Sequence, residues 1–185
     1  MTELVQTFRF RVRLTRSTAP GPTDRPPPRL KGDRNTAPGT SPPADGPDRL
    51  GDGGFQDCSG LGLEADLREY SEGGGNDRVV RRTGRVKLQP LVLKRGMFCP
   101  TEGGPADTSL WDWLHGMVAG GPPAARYDGD VEVLDPTGER VVAHWTFSRG
   151  LPLKVNGPTL NARTGEIAVE ELHIAHEGLR LERAR

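Results

Sequence analysis

Residues 131–147 read V-E-V-L-D-P-T-G-E-R-V-V-A-H-W-T-F. Val131 and Val133 alternate with polar neighbours, Asp135-Pro136-Thr137-Gly138 is turn chemistry, and Val141, Ala143, Trp145 and Phe147 alternate again. Period two on both sides of a turn predicts an antiparallel β-hairpin. The same period recurs outward from it. Phe8, Phe10, Val12 and Leu14 alternate with Arg9, Arg11 and Arg13, a first strand with one apolar and one basic face. Leu61, Leu63, Ala65 and Leu67 alternate with Gly62, Glu64, Asp66 and Arg68, a second strand with an acidic-to-mixed face. Residues 86–95 (V-K-L-Q-P-L-V-L-K-R) read as another strand, with Pro90 demoting the first half to an edge or a bulge. Residues 166–176 are the last strand candidate. One helix is predicted, over 109–119. Ser109 and Asp112 suit a capping box, Leu110, Leu114, Met117 and Val118 share a face with Trp111 beside it, and Gly120-Gly121-Pro122-Pro123 ends it. There is no βαβ rhythm. The chain reads as mainly β, an antiparallel sheet or barrel with one helix over it.

The 185 residues hold 25 Lys+Arg against 25 Asp+Glu. A zero balance argues against a dedicated nucleic-acid binder and leaves no net charge to oppose self-association. No stretch has the run of apolar residues that a membrane-spanning helix needs. The opening M-T-E-L-V-Q-T-F-R-F-R-V-R-L alternates charge with apolar residues and is not a signal-peptide core. Cys58 and Cys99 lie far apart, which fits a reducing compartment. Apolar residues make up 34% and aromatics 5%, low for a packed domain. The deficit is concentrated in residues 17–54, where 9 of 38 residues are Pro, 7 are Gly, and none is aromatic, Val or Ile. Such a segment cannot bury enough apolar surface to offset its chain entropy. The expected organisation is one domain: 1–16 as the first strand, 17–54 as a disordered insertion, and 55–185 as the remainder.

Little in the sequence suggests chemistry. His173 and His176 are three apart, which on a strand places them on opposite faces and argues against a shared metal. Neither cysteine carries a nucleophile signature. Glu64, Asp66 and Glu69 read as a solvated or interfacial strand face rather than a catalytic carboxylate group. Gly73-Gly74-Gly75 lacks the Lys-Ser/Thr of a phosphate-binding loop. No catalytic residue, metal site or cofactor is expected. Residues 71–85 are glycine-rich and then basic, and read as a loop of about fifteen residues, long for a compact domain. Arg78, Arg81, Arg82, Arg85, Lys87, Lys94 and Arg95 form a basic tract, without the interleaved aromatics of a single-strand binder. An edge strand and faces of opposite charge suit self-assembly.

The order of several short motifs resembles phage-type tail tube proteins. These are Gly54-Phe55-Gln56-Asp57-Cys58-Ser59-Gly60-Leu61, Glu69-Tyr70-Ser71-Glu72-Gly73-Gly74-Gly75-Asn76, Gly84-Arg85-Val86-Lys87 and Leu91-Val92-Leu93-Lys94-Arg95-Gly96. They continue with Leu110-Trp111-Asp112-Trp113, Leu151-Pro152-Leu153-Lys154-Val155, Gly157-Pro158-Thr159-Leu160-Asn161-Ala162 and the closing run Val169 to Leu179. The resemblance covers nearly all of the chain outside 17–54. It implies an antiparallel β-barrel with one helix, similar to the hemolysin-coregulated protein of type VI secretion. Ser71 stands where the family has Arg, Thr83 where it has Pro, and the insertion has no counterpart in an ordinary tube subunit.

What the resemblance implies is a structural role without catalysis. Six subunits would form a ring, and rings would stack into the inner tube of a contractile phage tail or tail-like injection particle. Such a particle is assembled in the cytoplasm with sheath and baseplate partners. It implies no membrane partner, and nucleic acid only as tube cargo. The 71–85 loop would meet the next ring, with Glu72, Asn76, Arg78, Arg81, Arg82 and Arg85 as contact candidates. Arg9, Arg11, Arg13, Glu64 and Asp66 would lie at the lumen or an interface, or pair with one another. Two rivals stand: a tube-initiating or baseplate-proximal ring of the same fold, and a nucleic-acid-binding module using 78–95.

Overall fold

A computed structural model describes residues 5, 8–18, 49–50, 54–71, 79–100, 103–118, 124–163 and 165–182. The elements run β1 Phe10–Arg16, β2 Arg49–Leu50, β3 Phe55–Ser59, β4 Leu63–Ser71, β5 Val79–Leu88, β6 Leu91–Gly96, α1 Ser109–Val118, β7 Tyr127–Leu134, β8 Val141–Asn156, β9 Val169–Ala175 and β10 Gly178–Glu182. The main sheet is antiparallel in the order β2-β1-β7-β8-β9-β6-β3, with β10 also on β8. β4 and β5 form a second, two-stranded sheet. The class is mainly β with one helix, as expected. The expected barrel is not closed, because neither β2 nor β3 at the ends of this order finds the other.

The main sheet bends at β8. Residues 141–150 pair with β7 and β10, while 151–156 pair with β9. Arg149 makes the bend at φ 54°, and its backbone N–H donates to Asp128 Oδ1 at 2.8 Å. Gly150 follows where a Cβ would come within 2.9 Å of both the Phe147 ring and the Tyr127 carbonyl. The neighbouring strand bends at the same level: β9 ends at Ala175, and β10 begins at Gly178 after His176 and Glu177. The last strand predicted from sequence, over 166–176, is β9, and β10 lies beyond it as a strand the sequence reading does not contain.

The β7–β8 hairpin is as read. Asp135 Oδ1 accepts from the Thr137 hydroxyl and from the Gly138 and Glu139 N–H groups, and the Thr137 bond leads in holding its carboxyl below the usual range. The core lies between the bent halves and under α1: Leu14, Leu50, Leu91, Leu93, Leu110, Trp113, Tyr127, Val131, Phe147, Leu172 and Ile174. Leu50 comes from the far end of the 17–54 segment, where β2 pairs with Leu14 and Thr15. The expectation of disorder falls mostly on residues outside those described.

The helix is rotated from its predicted face. Leu110 and Trp113 are buried, while Met117 and Val118 are exposed. Trp113 donates its indole N–H to the Ala125 carbonyl at 2.6 Å and meets Tyr127 edge-on at 4.9 Å. The cap begins earlier than read: Asp107 Oδ1 accepts from the Ser109 N–H at 2.9 Å, and the Thr108 hydroxyl donates to Asp112 at 2.7 Å. A buried ionic group pins the helix. Arg95 Nε donates to Glu170 Oε1 at 2.7 Å, with both side chains 0% exposed. Trp111 donates to Glu170 Oε2 at 3.1 Å, and Arg95 Nη2 lies 2.8 Å from Asp107 Oδ2.

Two strand readings need correction. The 71–85 loop is not a loop over its whole length, because β5 starts at Val79 and pairs with β4 from Ser71↔Val79 to Leu63↔Leu88. Val79, Val80 and Thr83 are β-branched and favour this, and the arginines between them gain cross-strand partners. The 86–95 strand is also two: its first half closes the β4–β5 hairpin and its second is the interior strand β6, with Gln89-Pro90 between them.

Candidate assembly surface

The β4–β5 hairpin is a continuation of the β3–β6 pair. Ser59 lies opposite Val92 and Leu63 opposite Leu88, so both strands leave the main sheet together. They turn at one level. Gly60 has φ +84°, and a Cβ on it would fall 2.1 Å from the Pro90 carbonyl oxygen, so only glycine fits. Pro90 faces it and has no N–H to continue the ladder. Beyond this corner, among the described residues, no strand or helix outside the pair packs broadly on the hairpin.

Residues opposite one another in an antiparallel pair share a face. One face carries Leu63, Ala65, Leu67 and Glu69 with Leu88, Val86, Thr83 and Arg81. Leu63 and Leu67 are each 60% exposed and Val86 55%. The apolar alternation read at 61–67 is real, but its apolar residues are largely open: of these only Leu61, next to Gly60, packs against the core. At the far end of this face Arg81 Nε donates to Glu69 Oε1 at 2.9 Å. The other face carries Glu64, Asp66, Arg68 and Tyr70 with Lys87, Arg82 and Val80. Lys87 reaches Asp66 at 2.8 Å, and the Arg82 guanidinium sits 5.6 Å from the Tyr70 ring centre. The register shifts by one residue between Ala65 and Leu67, so Gly84 and Arg85 bulge opposite Asp66. A Cβ on Gly84 would meet the Asp66 carbonyl at 3.0 Å. Among the described residues Arg68, Arg82 and Arg85 have no carboxylate partner.

The other site candidates divide. Glu72, Asn76 and Arg78 lie outside the described residues. Arg11 Nε and Nη2 both donate to Glu132 Oε2, at 2.8 and 2.6 Å, and Arg13 lies 3.4 Å from the same oxygen. Arg9 donates to the Thr137 carbonyl at 2.8 Å. The basic face of β1 is thus answered within the subunit by β7 and its turn, not by Glu64 and Asp66. The sheet's polar faces continue in this way: His144 meets Asp130 at 2.8 Å, and His173 meets Glu171 at 2.6 Å. That bond leads in holding Glu171 below the usual carboxylate range. Sequence reasoning missed Leu63, Leu67 and Val86 as surface. The signal for it was present in Gly60, Gly62 and Pro90, which mark the strands' departure.

Among the described residues no three His, Cys, Asp or Glu side chains are gathered as a metal site. Burial, with the Asp57 charge added, pushes the Cys58 thiol up to about 12, which suppresses the nucleophilic thiolate. No helix among the described residues is long and apolar enough to cross a membrane.

The fold is shared with solved particles. One similar chain is in the sheath–tube complex of the extracellular contractile injection system PVC in its extended state, at 19% identity and TM-score 0.67 over 98% of this chain and 93% of that one. A second is in the tube-terminating cap of the anti-feeding prophage, at 18% and 0.68 over 100% and 94%. A third is in the anti-feeding prophage baseplate, at 18% and 0.69 over 99% and 98%. Among curated proteins none matches. The model of the T4-like virus tail tube protein gp19 family matches residues 6–180, from before β1 to β10. The sequence motifs, the antiparallel fold and this match along the chain agree: the chain belongs to the tail tube protein gp19 family of T4-like viruses.

Proposed function

We propose that this chain is a structural subunit whose copies close into six-membered rings, and that the rings stack into the inner tube of a contractile particle, with no catalysis of its own. The observation that carries the reading is the β4–β5 hairpin. Its apolar stripe is more than half exposed in the single subunit, and a two-stranded hairpin alone is marginal in water. A second copy of the chain would cover the stripe, and Arg68, Arg82 and Arg85, which have no carboxylate partner among the described residues, would meet acids of a further copy. A head-to-tail contact of this kind closes laterally, and a second one repeats along the axis. Sheath and baseplate would be the outer partners, by analogy with the particles in which similar chains occur. Assembly would take place in the cytoplasm.

The test is negative-stain electron microscopy of the purified chain with its mass from analytical ultracentrifugation. Six-fold rings stacked into tubes are expected. Isolated rings would favour a tube-initiating or baseplate-proximal ring. A monomer at high concentration would overturn self-driven assembly. The nucleic-acid alternative has lost ground, because Arg81 and Lys87 of its basic tract are engaged by Glu69 and Asp66.

A further inference from the structure

His176 lies where two bends meet. It follows β9 at the fold of the main sheet, and its Nε2 is 3.1 Å from the carbonyl oxygen of Gln89, at the hairpin's corner. Its residue is 8% exposed, and the ring sits 5.8 Å from the Phe147 ring. Nδ1 is buried beside the Gly178 backbone. A carbonyl oxygen only accepts, so Nε2 carries a proton and donates to Gln89. The two chain segments entering the hairpin are thus held differently. On the β3–β4 side Leu61 packs on the core. On the β5–β6 side this hydrogen bond ties the corner to the core, and Pro90 offers no N–H.

We infer that His176 is a positioning residue for assembly, fixing from the core the corner at which the β4–β5 hairpin leaves the main sheet. The inference rests on the hairpin being an assembly surface. A ring of rigid copies requires each hairpin at one angle, and the geometry leaves that angle to Gly60, Pro90 and this bond. Burial holds His176 below its ordinary 6.5, although its backbone partners Gln89 and Gly178 favour the charged ring. A protonated ring keeps its Nε2–H, so protonation does not remove the donor to Gln89.

The test uses the full chain with His176→Phe, which keeps a ring and removes the donor, and His176→Gln, which keeps a donor and cannot titrate. The first reading is amide hydrogen exchange on the unassembled subunit. His176→Phe should exchange about fivefold to tenfold faster in β4 and β5, as loss of one hydrogen bond gives, with β7 and β9 unchanged. The second is tube yield at neutral pH. His176→Gln should keep tubes and His176→Phe should lose them. Unchanged exchange in His176→Phe overturns the inference, as does a loss of tubes in His176→Gln equal to that in His176→Phe. Wild type that never forms rings would overturn the tube reading instead, and the exchange result would still stand.

Discussion

β7 and β4 alternate apolar and polar residues equally well, yet only one of them is covered. In β7 every second residue is buried, from Tyr127 through Val133. Its outward acids also have partners, Asp130 with His144 and Glu132 with Arg11. In β4 the apolar positions Leu63 and Leu67 stand open, and among the described residues Arg68, Arg82 and Arg85 of the hairpin have no carboxylate partner. Alternation shows that a strand has two chemically different faces. Whether the same chain covers the apolar one depends on where the strand is aimed, and here Gly60 and Pro90 aim it away from the core. The main sheet should therefore answer to stability measurements and the hairpin to assembly measurements.

The largest effect should come from the covered region. Glu170→Ala takes from the buried Arg95 its one fully buried counter-charge, leaving only the partly exposed Asp107, and removes the acceptor of Trp111. Breaking such a pair costs about 3–5 kcal/mol. Denaturant unfolding of the unassembled subunit should show a loss of this size, with α1 losing protection from hydrogen exchange first. A loss no greater than that of a surface substitution would mean the helix is held by Leu110 and Trp113 alone.

Leu67→Glu should invert this pattern. Its effect on subunit unfolding should stay within about 0.5 kcal/mol, as for exposed positions. Sedimentation, however, should show rings lost. Leu91→Glu, one strand away but fully buried, should unfold the subunit instead. If Leu67→Glu assembles normally, the apolar stripe is not an interface and the contrast fails.

These two strands also show how far the sequence could be read. The β7–β8 hairpin, β1 and the existence of α1 follow from local signals: period two, the Asp135 turn and a glycine-proline stop. The face of α1 does not, because Trp113 is selected over Met117 by the Ala125 carbonyl, a partner distant in the pattern. β10 is absent from the sequence reading because its five residues alternate too briefly to signal a strand; pairing with β8 makes it one. The charges of β1 were legible, but their partner Glu132 was not, since strand order decides it. Residues 79–85 of β5 read as loop because local composition weighs their arginines and glycine and does not see the register that pairs Arg81 with Glu69.

A smaller effect separates the hairpin's two faces. Arg81 belongs to the apolar face and is held by Glu69, with both side chains more than half exposed. Arg82 belongs to the other face, over Tyr70. An exposed pair of this kind contributes about 0.2–1 kcal/mol, so Arg81→Glu should lower subunit stability only slightly. Arg82→Glu removes no described ion pair and should lower it less. In assembly the order should reverse if the basic face is the one that reaches the next ring: Arg82→Glu should shorten tubes while rings persist. Raised salt should do the same to wild type, because exposed charge contacts are screened over about 8–10 Å. Measuring ring and tube fractions by sedimentation for both variants across salt checks this. Equal loss of rings and tubes in Arg82→Glu would show that the two faces do not divide the work, and that lateral closure and stacking share one surface.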